Sequence, residues 1–560
     1  EPAAKDWILR DRNGHGIKIA YGHYFWRYLP DIRNPDYLEW YKETLIRYCM
    51  ENVKPKFIWL DNVAENAPVD WQPLHNKYWV EGFRQHLRET YSPAELTEML
   101  GYPTINFIEP PYWVWGSNVV VNDPIMQRWI DFRCKSVNDA ITEVCGFIKS
   151  IDPGCAIGIN IHGMSRNNRA ITGIDPIGVC DGTGVDGWGG ESSVIPELTD
   201  DGAMISPIRE FKAARTLKLA YTSGGRSSAP LATVVTQAFS YRHQIPGTGY
   251  LGNVPAKWGK LAGPEPRDTW YEHEEYYRDT ETIADVAILR SYPSLAYNSG
   301  APLQSTIGFE QTLIQAKVPF DVIFEKNLKN LSKYKVLVLA NTECMSDGDV
   351  KLIGDYVRRG GGLVATGSAS LYTEWRRPRP NFGLADVLDL TPEEAEKTRR
   401  GYRISDAMST WIGVEGIQTK MTEFGKGRAV YVPRVIPSYT GSAPKMILPV
   451  NWPELIRAVK WAAGQELSIN VHAPLTVVMN LYEKKEKKQL LLHLVNFKQD
   501  LIGDIGVDLK IPDGKKVKSV TVLTPDSVRG GSIKHEQSGD RLAFRVPELK
   551  LYDMAVIQLN

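Results

Sequence analysis

Residues 56–61, KFIWLD, form an unbroken apolar run that stops on a carboxylate. From residue 1 to about 283, such short runs alternate with stretches whose apolar positions recur every three or four residues. GIKIAYG (16–22), KFIWLD (56–61), AIGINIHG (156–163), GVDGWGG (184–190), LKLAYTSGG (217–225) and GTGYLGN (247–253) predict strands. PDYLEWYKETLIRYCMENV (35–53), NKYWVEGFRQHLRETY (76–91) and RWIDFRCKSVNDAITEVCGFIKSI (128–151) predict helices. Strand–helix alternation makes a parallel sheet with helices outside it. Strands followed by loops rich in Gly, Asn, Asp and Trp predict a (β/α)8 TIM barrel over 1–283. Six of its strands are legible. The other two are degenerate, or the barrel's first strands are missing from the chain.

The pattern restarts at 284. ADVAILR (284–290), FDVIFE (320–325), YKVLVLAN (334–341) and GLVATG (362–367) predict strands; STIGFEQTLIQAKV (305–318) and SDGDVKLIGDYVRRGGG (346–362) predict helices. The second helix has an Asp-rich start and a glycine stop. These elements predict a doubly wound α/β domain over 284–464, with 372–425 as an irregular insertion. From 465 the period becomes two, in LTVVMNLYE, KQLLLHLVNF, KSVTVLTP, RLAFRVPEL and YDMAVIQLN. Half-buried strands joined by Gly/Asp/Lys turns predict a C-terminal β-sandwich over 465–560. The fold class is therefore α/β, closed by an all-β domain.

Composition narrows the function. Lys plus Arg and Asp plus Glu each number 66, so there is no charge footprint for nucleic acid or an anionic membrane. No run of 18 apolar residues predicts a spanning helix. The opening EPAAKDW does not read as a signal peptide, and the location is left open between periplasmic or secreted and cytoplasmic. The six cysteines have no C-x-x-C or zinc spacing and read as buried free thiols; no metal and no cofactor is expected. The 16 Trp and 26 Tyr suit sugar-stacking clefts, though large cores hold them too.

Three pieces in this order resemble glycoside hydrolase family 42. The local likeness lies in FIWLDN, in YWVEGFRQHLRETYSPAELTEMLGYPTINFIEPPYWVWG (78–116), in IDFRCKSVNDAI (130–141), and in NLKNLSKYKVLVLAN and YVRRGGGLVATG. The resemblance implies a β-galactosidase-type barrel, a flavodoxin-like trimerisation domain and a homo-oligomer, most simply a trimer. The family's acid/base Glu follows the Asp-Asn of strand four, where this chain has Val63; its nucleophile Glu ends strand seven, where this chain reads YTSGG with Ser223. The two catalytic glutamates are thus not carried over. A strand ending Trp-x-Asp is also similar to α-L-fucosidases and the α-galactosidase clan, in which that Asp is the nucleophile.

Barrel enzymes carry catalytic groups at the C-terminal ends of strands. That geometry selects Asp61 first, then Asp186 and Glu191 in GVDGWGGESS, with Asp181 and Glu65 behind them. Asp61 reads as nucleophile or base, against a capping or ion-pair role; Glu191 and Asp186 compete for the acid, against a solvated loop glutamate and a buried structural aspartate. Glycosidases set two carboxyl groups across the sugar, about 5–5.5 Å apart when retaining and about 6.5–9.5 Å when inverting. Amides, imidazoles and aromatic rings at the same ends suit sugar hydroxyls: His23, Trp26, Trp59, Asn62, Asn160, His162, Trp188 and Tyr221.

The sequence thus points to an O-glycosidase of two-carboxylate type, retaining in mode, acting on a plant or algal oligo- or polysaccharide. Two alternatives stand beside it. One is a non-catalytic carbohydrate-binding or assembly protein on a degenerate barrel. The other is a polysaccharide lyase using His162 or Tyr221 as base.

Overall fold

The structure is a computed structural model. It describes residues 2–21, 25–61, 76–101, 104–111, 120–161, 164, 168–190, 196–223, 230–240, 272–298, 300–405, 408–411, 416–439, 445–526 and 530–560. The chain divides into two compact units. The first holds residues 1–190, 295–300 and 404–409; the second holds 191–294, 301–403 and 410–560.

In the first unit, strands β1 (Phe57–Leu60), β2 (Ala156–Asn160) and β3 (Gly187–Gly190) are parallel neighbours. Their register puts Leu60, Ile159 and Trp188 in one row, and all three side chains are buried. The alternate face carries Trp59, Gly158 and Gly187 in one row. Gly158 is required there, because a Cβ would lie 2.5 Å from the Trp59 ring.

Two helices supply the first unit's aromatic core. Helix α1 (Lys77–Thr90) buries Trp79, Phe83 and Leu87 along one stripe. Helix α2 (Pro124–Ile151) starts with Asp123 accepting from the Met126 N–H and Pro124 in the first turn, a good fit for a helix start. Trp79 and Phe83 meet Trp129 edge-on, with ring centroids 5.9 and 5.2 Å apart. Each such buried ring contributes roughly 1.5–3 kcal/mol by leaving water. Asp31 sits beneath this cluster, accepting from the Trp79 indole at 3.0 Å and the Arg33 N–H at 3.1 Å. Burial pushes its carboxyl up to about 6, against the pull of those donors.

Two readings of this region change. The apolar run at 16–22 forms Lys18–Tyr21, which pairs antiparallel with Phe25–Tyr28 rather than joining the parallel strands. The helix at 35–53 opens as an α-helix at Pro35–Trp40, passes through the wider π-turns Tyr41–Ile46 and Cys49–Val53, and stops at Lys54 with φ +52°. The strand read at 247–253 lies outside the described residues.

In the second unit, an antiparallel pair of short strands (Glu197–Leu198 and Met204–Ile205) precedes helices α3 (Ile208–Leu217) and α4 (Pro230–Phe239), which are separated by the strand Ala220–Ser223. Six strands follow: β4 (Val286–Leu289), β5 (Phe320–Ile323), β6 (Val336–Ala340), β7 (Gly362–Thr366), β8 (Lys420–Phe424) and β9 (Gly427–Val432). Their order is β5-β4-β6-β7-β9-β8, parallel except for the antiparallel edge β8. The four strands from β4 to β7 are buried along their whole length, as the unbroken Val/Ile/Leu runs require of a sheet covered on both faces. Gly362 opens β7 where a Cβ would lie 2.3 Å from the Ala462 carbonyl oxygen of the helix Trp452–Ala463. The segment 372–425 is not irregular throughout: it holds the helices Ala385–Leu388 and Pro392–Arg400 as well as β8.

Helix α3 is tied to helix α5 (Ala301–Gln315) by a buried ion cluster. Glu310 accepts from Arg209 at 2.9 Å and from Arg290 at 2.7 and 2.8 Å. Burial alone would raise this carboxyl, yet the two guanidinium groups hold it below its ordinary range.

The period-two segment builds two antiparallel sheets. One joins Ile469–His472, Ile502–Lys510, Arg541–Leu549 and His535–Ser538. The other joins Gly531–Ile533, Val517–Leu523, Tyr552–Leu559, Gln489–Asn496, Val477–Lys484 and Glu281–Thr282. Their core gathers Leu490, Leu492, Leu494, Val507, Leu509, Phe544, Val546, Ala555 and Ile557 at alternate positions.

Candidate active site

Asp61 is the first residue past β1, and Asn160 is the last of β2. Both therefore stand at the C-terminal ends of neighbouring parallel strands. Asn160 is buried, and its side-chain amide donates to Asp61 Oδ1 at 2.9 Å. Charge-assisted bonds of this kind are roughly twice as strong as neutral ones and fix the carboxylate plane. Opposite Asn160 in β3 is Gly189, and Gly158 and Gly187 occupy the row below. Glycines thus clear this face of β2 and β3 beside Asp61, where the Trp59 and Phe57 rings of β1 stand 6.1 Å apart. The Trp59 Nε1–H is buried and has no acceptor among the described residues.

Trp188 lies in the apolar row with Leu60 and Ile159, on the face opposite Trp59. Its indole packs in the core, because strand alternation puts residue 188 out of phase with Gly187 and Gly189. The sequence assigned it to the substrate; its row assigns it to packing.

Asp186 also changes role. Gly182 and Gly184 turn the chain at φ +75° and +89°, and β3 starts only at Gly187. Asp186 therefore precedes the strand and stands at the end of the sheet away from Asp61. It accepts from the Ile157 N–H at 2.9 Å and pairs with Lys149 at 2.7 Å. Those partners make it a tie between α2, β2 and β3. Asp181 is exposed in the preceding turn.

Tyr221 belongs to the second unit, buried in strand Ala220–Ser223 with its ring 4.9 Å edge-on from Phe211. Trp26 lies in the strand Phe25–Tyr28. His23, Asn62, His162, Glu191 and Glu65 lie outside the described residues. Five of the six cysteines are buried, as free thiols in core positions are expected to be, and Cys49 is exposed. Among the described residues, no three His, Cys, Asp or Glu side chains gather as a metal site, and no helix is long and apolar enough to cross a membrane.

Sequence reasoning missed the glycine clearing. Its signal was available: Gly158 falls in an otherwise aliphatic run, and Gly187 and Gly189 alternate across Trp188.

No protein-family model matches the chain, and no curated protein sequence does. Solved structures do. An α-L-fucosidase, isoenzyme 2 from Paenibacillus thiaminolyticus, is 15% identical, with 100% of this chain and 85% of that one covered at a TM-score of 0.63. A cold-adapted β-galactosidase from Rahnella sp. R3 is 14% identical over 99% of this chain and 85% of its own, at 0.65. An exo-carrageenase of glycoside hydrolase family 42 from Bacteroides ovatus is 14% identical over 95% of this chain and 71% of its own, at 0.53. At such identities the likeness is one of fold, and the fold is that of glycoside hydrolases of the family 42 type.

Proposed function

We propose that the chain is a glycoside hydrolase acting on a plant or algal oligo- or polysaccharide, with Asp61 as its nucleophile or base. The observation that carries this reading is the Asp61–Asn160 pair at the C-terminal ends of β1 and β2, on a face cleared by glycines. In a (β/α)8 barrel, that end is where substrate meets the strands. The fucosidase, galactosidase and exo-carrageenase of like fold favour a sugar substrate.

In the retaining form, the Asp61 carboxylate attacks the anomeric carbon as a second carboxylic acid protonates the leaving oxygen. Water then releases the sugar. Glu191 takes the acid role, since Asp186 is committed to Lys149 and the Ile157 N–H. Val63 in place of a glutamate favours the aspartate-nucleophile chemistry of the fucosidase type over that of the β-galactosidase type. Residues 284–464 form the oligomer contact in this reading, as a trimer.

Aryl glycosides of galactose, fucose, arabinose and glucose, in both anomers, test it. Turnover that disappears in Asp61→Asn supports the reading. No turnover above the Asp61→Asn background on any of them, with carbohydrate still bound, would establish the non-catalytic binding alternative instead.

A further inference from the structure

Asp321 interrupts an otherwise apolar strand, and the chemistry above does not use it. It is the second residue of β5, an edge strand of the six-stranded sheet, and it is 7% exposed. The Tyr334 hydroxyl donates to its Oδ2 at 2.9 Å, and the Lys333 ammonium reaches the same oxygen at 3.4 Å. Among the described residues, no donor reaches Oδ1. A buried carboxylate is held best when both of its oxygens accept.

Asp321 lines a cavity of about 740 Å³ that lies wholly within the second unit. The walls come from the last turn of α3, residues 279–282, the 3-10 helix Glu325–Lys333 and the end of the strand Val477–Lys484. Thr216 joins α3 to β5 by donating to the Val322 carbonyl at 2.6 Å. Thr282 and Glu281 pair with Tyr482 and Glu483 in the strand beside them. The volume falls within the range of small-molecule sites, about 300–1,000 Å³. The lining, however, is not apolar: every residue of it bears a hydroxyl, an amide or a charge.

Four of the lining residues are basic and five acidic, and they offset one another, Lys333 against Asp321 and Lys485 against Glu281. So balanced a field selects neither a multiply charged anion nor a cation. It suits a neutral ligand rich in hydroxyls, since each hydroxyl both donates and accepts. Asp321 Oδ1 supplies a fixed acceptor. Asn327 supplies a donor, because its Oδ1 is taken by the Phe324 N–H at 3.0 Å and its NH2 group remains. Asn330 adds a second amide at the exposed rim.

We propose that this cavity is a second saccharide-binding site, in which Asp321 Oδ1 accepts from a ring hydroxyl and the Asn327 and Asn330 amides donate to its neighbours. The choice of a saccharide among neutral polar ligands rests on the glycoside hydrolase reading. Tyr334 is buried, so it offers no open face for stacking, and a single sugar binds weakly. The role is retention of a polymeric substrate, not cleavage.

The test titrates galactose, fucose, arabinose and glucose by calorimetry into the full chain, each up to about 100 mM. Monosaccharides are used because a glycosidase cannot turn them over. The expected result is a saturable heat with at least one sugar. Binding should weaken about tenfold or more in Asp321→Asn, which keeps an acceptor for Tyr334, and about three- to tenfold in Asn330→Ala. Asn330 is exposed, so its variant reads the site even if Asp321→Asn fails to fold. Turnover of aryl glycosides should stay at the wild-type level in both variants, so failure of the catalytic reading shows in turnover and failure of this one in binding. No saturable heat from any of the four sugars overturns the proposal. So does a heat that either folded variant leaves unchanged, which would put the sugar elsewhere.

Discussion

The Asn160 amide donates to Asp61 Oδ1 at 2.9 Å, joining the ends of two parallel strands through residues 99 positions apart in sequence. Strand pairing sets this distance, because Leu60 pairs with Ile159 and the next residue of each strand projects to the same side. The pair is thus a product of register, and a one-residue slip would send Asn160 to the opposite face.

Asp61→Asn keeps the shape and one acceptor for Asn160, so the thermal midpoint should stay near that of the wild type. Turnover on the best aryl glycoside should fall by about a thousandfold or more, a barrier rise of roughly 4 kcal/mol. A structural aspartate gives the reverse: about 1–3 kcal/mol of lost stability and turnover nearly intact. Turnover and midpoint on the same preparation separate the two.

Asn160→Leu removes the donor at similar volume. A hydrogen bond to a charged group contributes about 1.5–3 kcal/mol, so kcat should fall roughly 10- to 100-fold while KM changes little. A fall in KM-weighted binding alone, with kcat unchanged, would place Asn160 on the substrate rather than on Asp61.

Much of the fold was legible because burial on both faces leaves a plain mark. VLVLA at 336–340 and VAIL at 286–289 are continuous apolar runs, and they are central strands of the six-stranded sheet. The switch to period two after 465 was equally clear, since one face of each strand meets the core. Asp61 and Asn160 were legible for a related reason: each is the first polar group after an apolar strand run or its last residue. The errors came where polar and glycine residues decide boundaries. Gly184 and Asp186 read as strand, but positive φ at Gly182 and Gly184 delays β3 to residue 187. Trp188 read as a sugar platform because aromatic residues carry no face label until register is known. The strand Lys18–Tyr21 read as a barrel strand because a short apolar run does not reveal its partner's direction.

Glu310 gives a stability prediction. Arg209 and Arg290 are both buried and both rest on this one carboxylate. Glu310→Gln removes the carboxylate bonded to both guanidinium groups and leaves the buried Glu210 as a carboxylate that still interacts with them, so the loss falls short of a fully unpaired buried charge, at about 1.5–3 kcal/mol. Denaturant unfolding should show that loss, whereas Glu310→Gln with Arg209→Met should recover part of it. A loss below about 1 kcal/mol in the single variant would mean that water reaches the cluster.

Gly158→Ala puts a methyl 2.5 Å from the Trp59 ring. The indole must tilt, since the β2 backbone is held between β1 and β3. Overpacking of this kind costs roughly 1–3 kcal/mol. Turnover should fall along with the midpoint, because Trp59 and Asp61 lie on one face of β1. A variant with lowered midpoint and full turnover would remove Trp59 from the candidate site.

Asp31 supplies the pH dependence. Its carboxyl is pushed up to about 6 in the folded chain, from an ordinary 3.8, chiefly by burial. The folded state therefore holds this proton more tightly than the unfolded state does. As pH rises from about 4 to about 6, the unfolded chain gains the freedom to ionise while the folded chain stays protonated, and stability falls through that window. Above about pH 7 both states are ionised and the loss is complete, about 3 kcal/mol at roughly 1.4 kcal/mol per pKa unit. Asp31→Asn keeps an acceptor for the Trp79 indole and the Arg33 N–H but cannot ionise. Its stability relative to the wild type should accordingly rise by about 3 kcal/mol between pH 4 and pH 7, whatever its starting offset. Chemical denaturation at intervals across that range measures the difference, and the other titrating groups cancel because both proteins carry them. Parallel curves for the two proteins would show that Asp31 ionises as readily inside the fold as outside it, and that its donors outweigh its burial.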